Sequence, residues 1–160
     1  MNESDAPPTA RAVLAVDPGT RKCGVAVVSD RGDVWHLAIV GTHELPATAA
    51  ALVEQYHVSL VLVGNRTGAR SAGEMLSAAC PVATVVFVDE HMSTLRARER
   101  YFRDNPPRGL ARLLPRGLRV PPESYDQYVA LVLAEEYLAG PTAGGASPGT
   151  AHGVPEERQD

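Results

Sequence analysis

Three carboxylates in this chain stand where apolar segments begin or end: Asp17, Glu90 and Asp126. Asp17 closes the apolar run Ala12–Val16 and is followed by Pro18-Gly19-Thr20 and a second apolar run, Val25–Val28. That pattern reads as a β-hairpin whose first strand delivers the acid at its C-terminal end. Glu90 comes just after the apolar run Thr84–Val88, and Asp126 opens the last apolar-striped segment. An acid at the end of a buried strand is costly to desolvate unless it meets a cation or hydrogen-bond donors. Carboxylate oxygens without a histidine or thiolate set select Mg2+ or Mn2+. Two such ions about 4 Å apart can activate water and stabilise the leaving oxygen of a phosphodiester. Gly19 lacks a Cβ, so a phosphate or a metal-bound water could approach the backbone beside Asp17. Taken singly, Asp17 also suits an Asx-type turn, and Asp126 suits the N-terminal end of a helix dipole. Together they repel one another unless a cation is present.

The elements that must position these acids follow from periodicity and turn residues. After the hairpin, Asp30-Arg31-Gly32-Asp33 is a turn and Val34–Val40 a third antiparallel strand. Leu45–His57 reads as a helix with Pro46 in its first turn, Ser59–Val63 as a buried strand, and Gly68–Ala79 as a helix stopped by Pro81. Thr84–Val88 is a strand, Ser93–Arg103 a helix, Asn105–Pro122 an irregular proline-rich loop and Tyr125–Ala139 a last helix. The order βββαβαβαα predicts an α/β fold, a five-stranded mixed sheet with helices on both faces. Strand C-termini then share one edge, where ligands gather. Residues 1–10 read as a disordered arm, 11–139 as one domain, and the Gly/Pro/Ala-rich stretch 140–160 as a disordered tail.

Charge is unevenly spread. The whole chain carries −4, but arm and tail each contribute −2, leaving the domain neutral. Within it, residues 96–119 hold eight arginines against Glu99 and Asp104, a local +6 that total charge conceals. Arg96, Arg100 and Arg103 share one helix face, and Arg108, Arg112, Arg116 and Arg119 follow in the loop. Guanidinium forks suit phosphate oxygens. Tyr101 and Tyr125 are candidates to stack on bases, whereas Phe102 is expected in the core. His36, His43 and His57 lack metal-ligand spacing. Cys23 and Cys80 sit in apolar surroundings and read as reduced thiols, which points to the cytoplasm. No stretch approaches the roughly 18 apolar residues of a membrane span, so no membrane partner is expected.

Asp17-Pro-Gly-Thr-Arg-Lys-Cys-Gly-Val-Ala-Val resembles the opening motif of the YqgF (RuvX) family of ribonuclease H-like nucleases. The segment from Val88 to Ala97 resembles that family's Asp-Glu-Arg-Leu-Thr-Thr-x-x-Ala segment, and Tyr125–Ala130 its closing Asp-x-x-Ala-Ala helix. The likeness spans about residues 11–139 in the family's order and spacing. It implies a ribonuclease H-like sheet, with Asp17, Glu90 and Asp126 as catalytic acids and ligands of two Mg2+ or Mn2+ ions. It also implies nucleic-acid contacts from Gly19, Thr20 and Arg21 in the first turn, Asn65 and Arg66 after the fourth strand, and Thr94. To these the basic segment adds Arg96, Arg100, Arg103, Arg108 and Arg112. The implied task is processing of the 5′ end of precursor 16S ribosomal RNA in ribosome biogenesis. Resolution of Holliday junctions or other branched DNA is the alternative, and a homodimer would suit it, since a junction is cut symmetrically. A non-catalytic assembly factor that binds nucleic acid is a further reading. An Asp-x-Gly-Thr hairpin also opens sugar-kinase-type ATPases, but those need a duplicated domain about twice this length.

Overall fold

The computed structural model describes residues 11–89 and 93–140. The arm 1–10, the tail beyond Gly140, and Glu90 with His91 and Met92 lie outside the described residues. Five strands and four helices follow in the expected order: β1 (Ala12–Asp17), β2 (Lys22–Ser29), β3 (Val34–Gly41), α1 (Leu45–Gln55), β4 (Leu60–Gly64), α2 (Ala69–Ala79), β5 (Thr84–Val88), α3 (Ser93–Asp104) and α4 (Asp126–Ala139). They build one sheet in the order β3-β2-β1-β4-β5. β1 runs antiparallel to β2 and parallel to β4, and β4 runs parallel to β5. This is the ribonuclease H-like mixed sheet.

The central position of β1 explains its composition. All six of its residues are buried, as a strand covered on both faces requires. Alternation then sorts the sheet into two cores. Leu14, Val16, Val25 and Val27 face α1 and α2, packing on Leu45, Leu52, Ala72 and Leu76. Val13, Ala15, Ala26 and Val28 face the other way, onto Ala97 of α3 and the continuous buried stretch Tyr128–Ala134 of α4. Asp17 continues the Val13–Ala15 series and Gly24 the Val28–Ala26 series, so both belong to the α4 face.

Two local departures have identifiable causes. α1 ends at Gln55, two residues before the expected His57. His57 takes a left-handed φ of 50°, and the Val58 amide returns 3.0 Å to the Val53 carbonyl, a Schellman closure. The loop 105–122 contains two short 3-10 turns, Gly109–Leu113 and Arg116–Leu118. Its prolines remove the donors a longer helix would need. No helix among the described residues is long and apolar enough to cross a membrane.

Candidate functional site

Asp17 ends β1 and is buried, with only 8% of its surface accessible. Its partner across the β1–β2 ladder is Gly24. A Cβ placed on Gly24 would fall 2.0 Å from the carbonyl oxygen of Asp126, 2.3 Å from its carbonyl carbon and 2.7 Å from the Gln127 nitrogen. The first turn of α4 therefore lies directly on the strand position opposite Asp17. An isolated glycine inside an apolar strand run is itself a sign of such close approach. The turn that carries Asp126, 109 positions from Asp17 in sequence, can reach the strand position paired with Asp17 because β2 has no side chain at that point.

Asp126 is engaged by residues that the motif reading passed over. Lys22 Nζ stands 3.5 Å from Asp126 Oδ2 and donates to Ser124 Oγ. Ser124 Oγ in turn donates to Asp126 Oδ2 at 3.4 Å. Lys22 thus sets an ammonium against one of the two described carboxylates. Gln127, the next residue of α4, has its Oε1 buried without a hydrogen-bond partner among the described residues. Among the described residues, no three His, Cys, Asp or Glu side chains form a metal-holding group. The third expected acid, Glu90, lies outside them.

The turn after Asp17 explains Gly19 differently from the sequence reading. A Cβ there would lie 2.1 Å from the Lys22 carbonyl oxygen, so the missing side chain makes room for the turn's own backbone. The Gly19 carbonyl is also held, accepting from Thr42 Oγ1 at 3.0 Å and from Cys23 Sγ at 3.9 Å. Thr20 and Arg21 are exposed, with the Arg21 carbonyl taking the Thr42 amide at 3.1 Å.

At the shared C-terminal edge, Asn65 follows β4 and donates its amide to the Val88 carbonyl of β5 at 2.9 Å. The Arg66 guanidinium bridges to Thr94 Oγ1 in the first turn of α3, 2.9 Å away. Asn65, Arg66 and Thr94 are thus gathered at the edge where β1 delivers Asp17.

The arginines divide into two groups. Arg96 is ion-paired with Glu136 of α4. Arg100, with 18% of its side chain accessible, pairs with Asp104 one turn on and with Glu135 of α4 at 3.2 Å. Burial alone would lower its pKa, but the Asp104 hydrogen bond and the charges of Glu135 and Asp104 outweigh it and hold the pKa above its ordinary value. These two residues tie α3 to α4. Among the described residues, Arg98, Arg103, Arg108, Arg112 and Arg116 form no ion pair.

The aromatic expectations are reversed. Tyr101 and Tyr125 pack on the α4 core, and Tyr128 stands edge-on to Tyr101 with ring centroids 5.4 Å apart. Phe102 belongs to neither core and lies half-buried on the other side of α3.

The sequence profile of the Tex protein YqgF-like domain matches residues 11–95, more than half of the chain. The chain belongs to the YqgF-like family. The match includes Asp17, Gly24, Arg66 and Thr94, while Asp126 lies beyond it and owes its placement to the packing on Gly24. The fold of this YqgF-like chain is shared with RuvC from Thermus thermophilus, 17% identical, which covers 77% of this chain and 90% of that one at a TM-score of 0.51. T. thermophilus RuvC in complex with a Holliday junction substrate is 18% identical, covers 78% of this chain and 90% of that chain, and superposes with a TM-score of 0.49. No curated protein matches the chain in sequence.

Proposed function

We propose that this chain is a divalent-metal-dependent nuclease acting on structured nucleic acid, with 5′-end processing of precursor 16S ribosomal RNA as its task. The observation that carries this reading is the seating of Asp126 on Gly24, beside Asp17, in a chain of the YqgF-like family. The donors fit a hard cation: two carboxylates and an orphaned amide oxygen on the adjacent Gln127. Asp17 and Asp126 would hold the metal, with Glu90 as the third acid. Bound there, Mg2+ or Mn2+ supplies an activated water and stabilises charge on the leaving oxygen. The protein's own share is positional. Asp17 is fixed by the fully buried central strand, Asp126 by the anchored α4, and Arg66, Thr94 and Asn65 line the edge along which a strand would pass. Arg103, Arg108 and Arg112 are exposed and free of ion pairs among the described residues, suited to phosphates flanking the cut.

The deciding experiment sets precursor 16S RNA, single-stranded DNA and a four-way DNA junction side by side with Mn2+. Cleavage of the RNA at its 5′ end supports the reading. Preference for the junction transfers the activity to branched DNA, and no cleavage of any substrate defeats the nuclease assignment.

Two variants sharpen it. Lys22→Gln removes the ammonium that stands against Asp126, so Mn2+ is expected to bind about fivefold tighter. That corresponds to the roughly 1 kcal/mol a unit charge at 4 Å is worth in water. Thermal stability should barely move, because an exposed ion pair contributes about 0–1 kcal/mol. A calorimetric Mn2+ titration reads the first, and weaker binding in the variant would show that Lys22 supports the metal site instead. Arg108→Ala/Arg112→Ala is expected to weaken nucleic-acid binding without regard to base sequence and to lower the log–log salt slope by about 0.7–0.9 per lost contact. An unaltered slope would leave these arginines as ordinary solvated surface.

A further inference from the structure

A cavity of about 480 Å3 opens on the side of α3 away from α4, well within the size range of small-ligand sites. Leu95, Arg98, Phe102 and Arg103 line it from the helix, and Arg116 and Arg119 from the loop. The helix positions recur at three- and four-residue spacing, so α3 carries a second organised face opposite the one that packs on α4. Among the described residues Glu99 is the one acid on the wall, against four arginines.

The cavity is built rather than incidental. Arg119 shapes its far wall, donating Nε to the Leu114 carbonyl at 2.9 Å and Nη2 to the Arg112 carbonyl at 3.1 Å. No apolar core holds that wall: Leu110 is 84% exposed, and Leu113, Leu118 and Val120 are also in solvent. Arg98, Arg103 and Arg116 keep their guanidiniums uncommitted among the described residues, while the arginines on the opposite face of α3 are paired to carboxylates. Phe102 supplies one aromatic ring to this basic surround. An aromatic face with arginines about it matches an unpaired nucleotide: a base to stack and phosphates to bind.

We infer that this cavity holds an unpaired nucleotide of the nucleic-acid strand, with its base on Phe102 and its flanking phosphates on Arg98, Arg103 and Arg116. The inference rests on the nuclease reading, since the strand is the one that reaches Asp17 and Asp126. Both walls lead to that site. Thr94, in the first turn of α3, is bonded to Arg66 on the sheet edge, and Phe102 follows eight residues later, about 12 Å along the axis. That distance is about three to four nucleotides of a stacked strand at 3.4 Å each. The loop wall runs on through Ser124 into Asp126.

The test compares a twelve-residue oligothymidylate with its abasic counterpart, which carries the same phosphates and no bases, by fluorescence anisotropy in EDTA so that nothing is cut. The full chain is expected to bind the intact strand about fivefold to a hundredfold more tightly, the range for one base–aromatic stack. Phe102→Leu should bind both strands as the original binds the abasic one, and retained abasic affinity shows that the variant is folded. Arg98→Ala/Arg116→Ala, which does not disturb the Tyr101 contact of Phe102, should weaken both strands and reduce the salt slope by about 1.4. Equal affinity for the two strands overturns the inference, as does a base preference undiminished in Phe102→Leu or an arginine pair without effect. Absence of binding to either strand also overturns the inference, while the nuclease reading stands or falls separately on the Mn2+-dependent cleavage of precursor RNA, single-stranded DNA and junction. Tight binding that ignores the bases removes the cavity alone.

Discussion

Asp17→Asn is expected to slow Mn2+-dependent cleavage by about a thousandfold, the rate equivalent of the roughly 4 kcal/mol of charge stabilisation lost with a metal ligand. The carboxamide keeps the shape of the carboxylate, so β1 should remain packed between β2 and β4. The folded protein should remain cooperatively folded, since Asp17 is buried on the central strand and the carboxamide adds no volume there. Paired measurements of cleavage rate and thermal unfolding check both halves. A variant that cuts at the original rate ends the assignment of Asp17 as a metal ligand. A variant that loses activity only by unfolding assigns Asp17 to the fold.

Gly24→Ala is expected to cost about a hundredfold in kcat and about 1–3 kcal/mol of stability, although it adds only a single methyl group. The atoms that methyl would strike, the Asp126 carbonyl and the Gln127 nitrogen, are all backbone, so no side chain can swing aside. Nor can α4 retreat as a body, because Tyr128–Ala134 are buried in the core beneath it. The strain must fall on the first turn of α4, which carries Asp126, or on the β2 strand opposite Asp17. Either shift separates the two acids, and a displacement of about 1 Å can lower a rate a hundredfold. Thermal melts and Mn2+ affinity distinguish the outcomes. Weakened Mn2+ binding in a folded variant supports the geometry, while original affinity and rate would mean that α4 does not bear on Gly24.

The order of elements was legible from local pattern because hydrophobic periodicity and turn residues act over a few positions. Ala12–Val16 ending on Asp17 read as a strand delivering an acid to the sheet edge, and the apolar stripe after Asp126 as an amphipathic helix, and both elements formed. The YqgF-like likeness was legible for the same reason, being carried by short contiguous motifs. The closeness of the Lys22 carbonyl to Gly19, which leaves no room for a Cβ, was not legible from the local pattern.

Other features depended on partners far away in the chain. Arg96 and Arg100 looked like the companions of Arg103 on one helix face, yet they are neutralised by Glu136 and Glu135, whose approach depends on how α4 crosses α3. Lys22 meets Asp126 across more than a hundred residues, and Gly24 matters only because that same helix lands on it. Tyr101 and Phe102 are adjacent and chemically alike, but one turns into the core and the other into the cavity because α3 has a neighbour on each side. Sequence alone therefore determined which elements form and which acids end them. The tertiary packing of α3 and α4 decided which charges stay free, because that depends on where other helices bring their carboxylates.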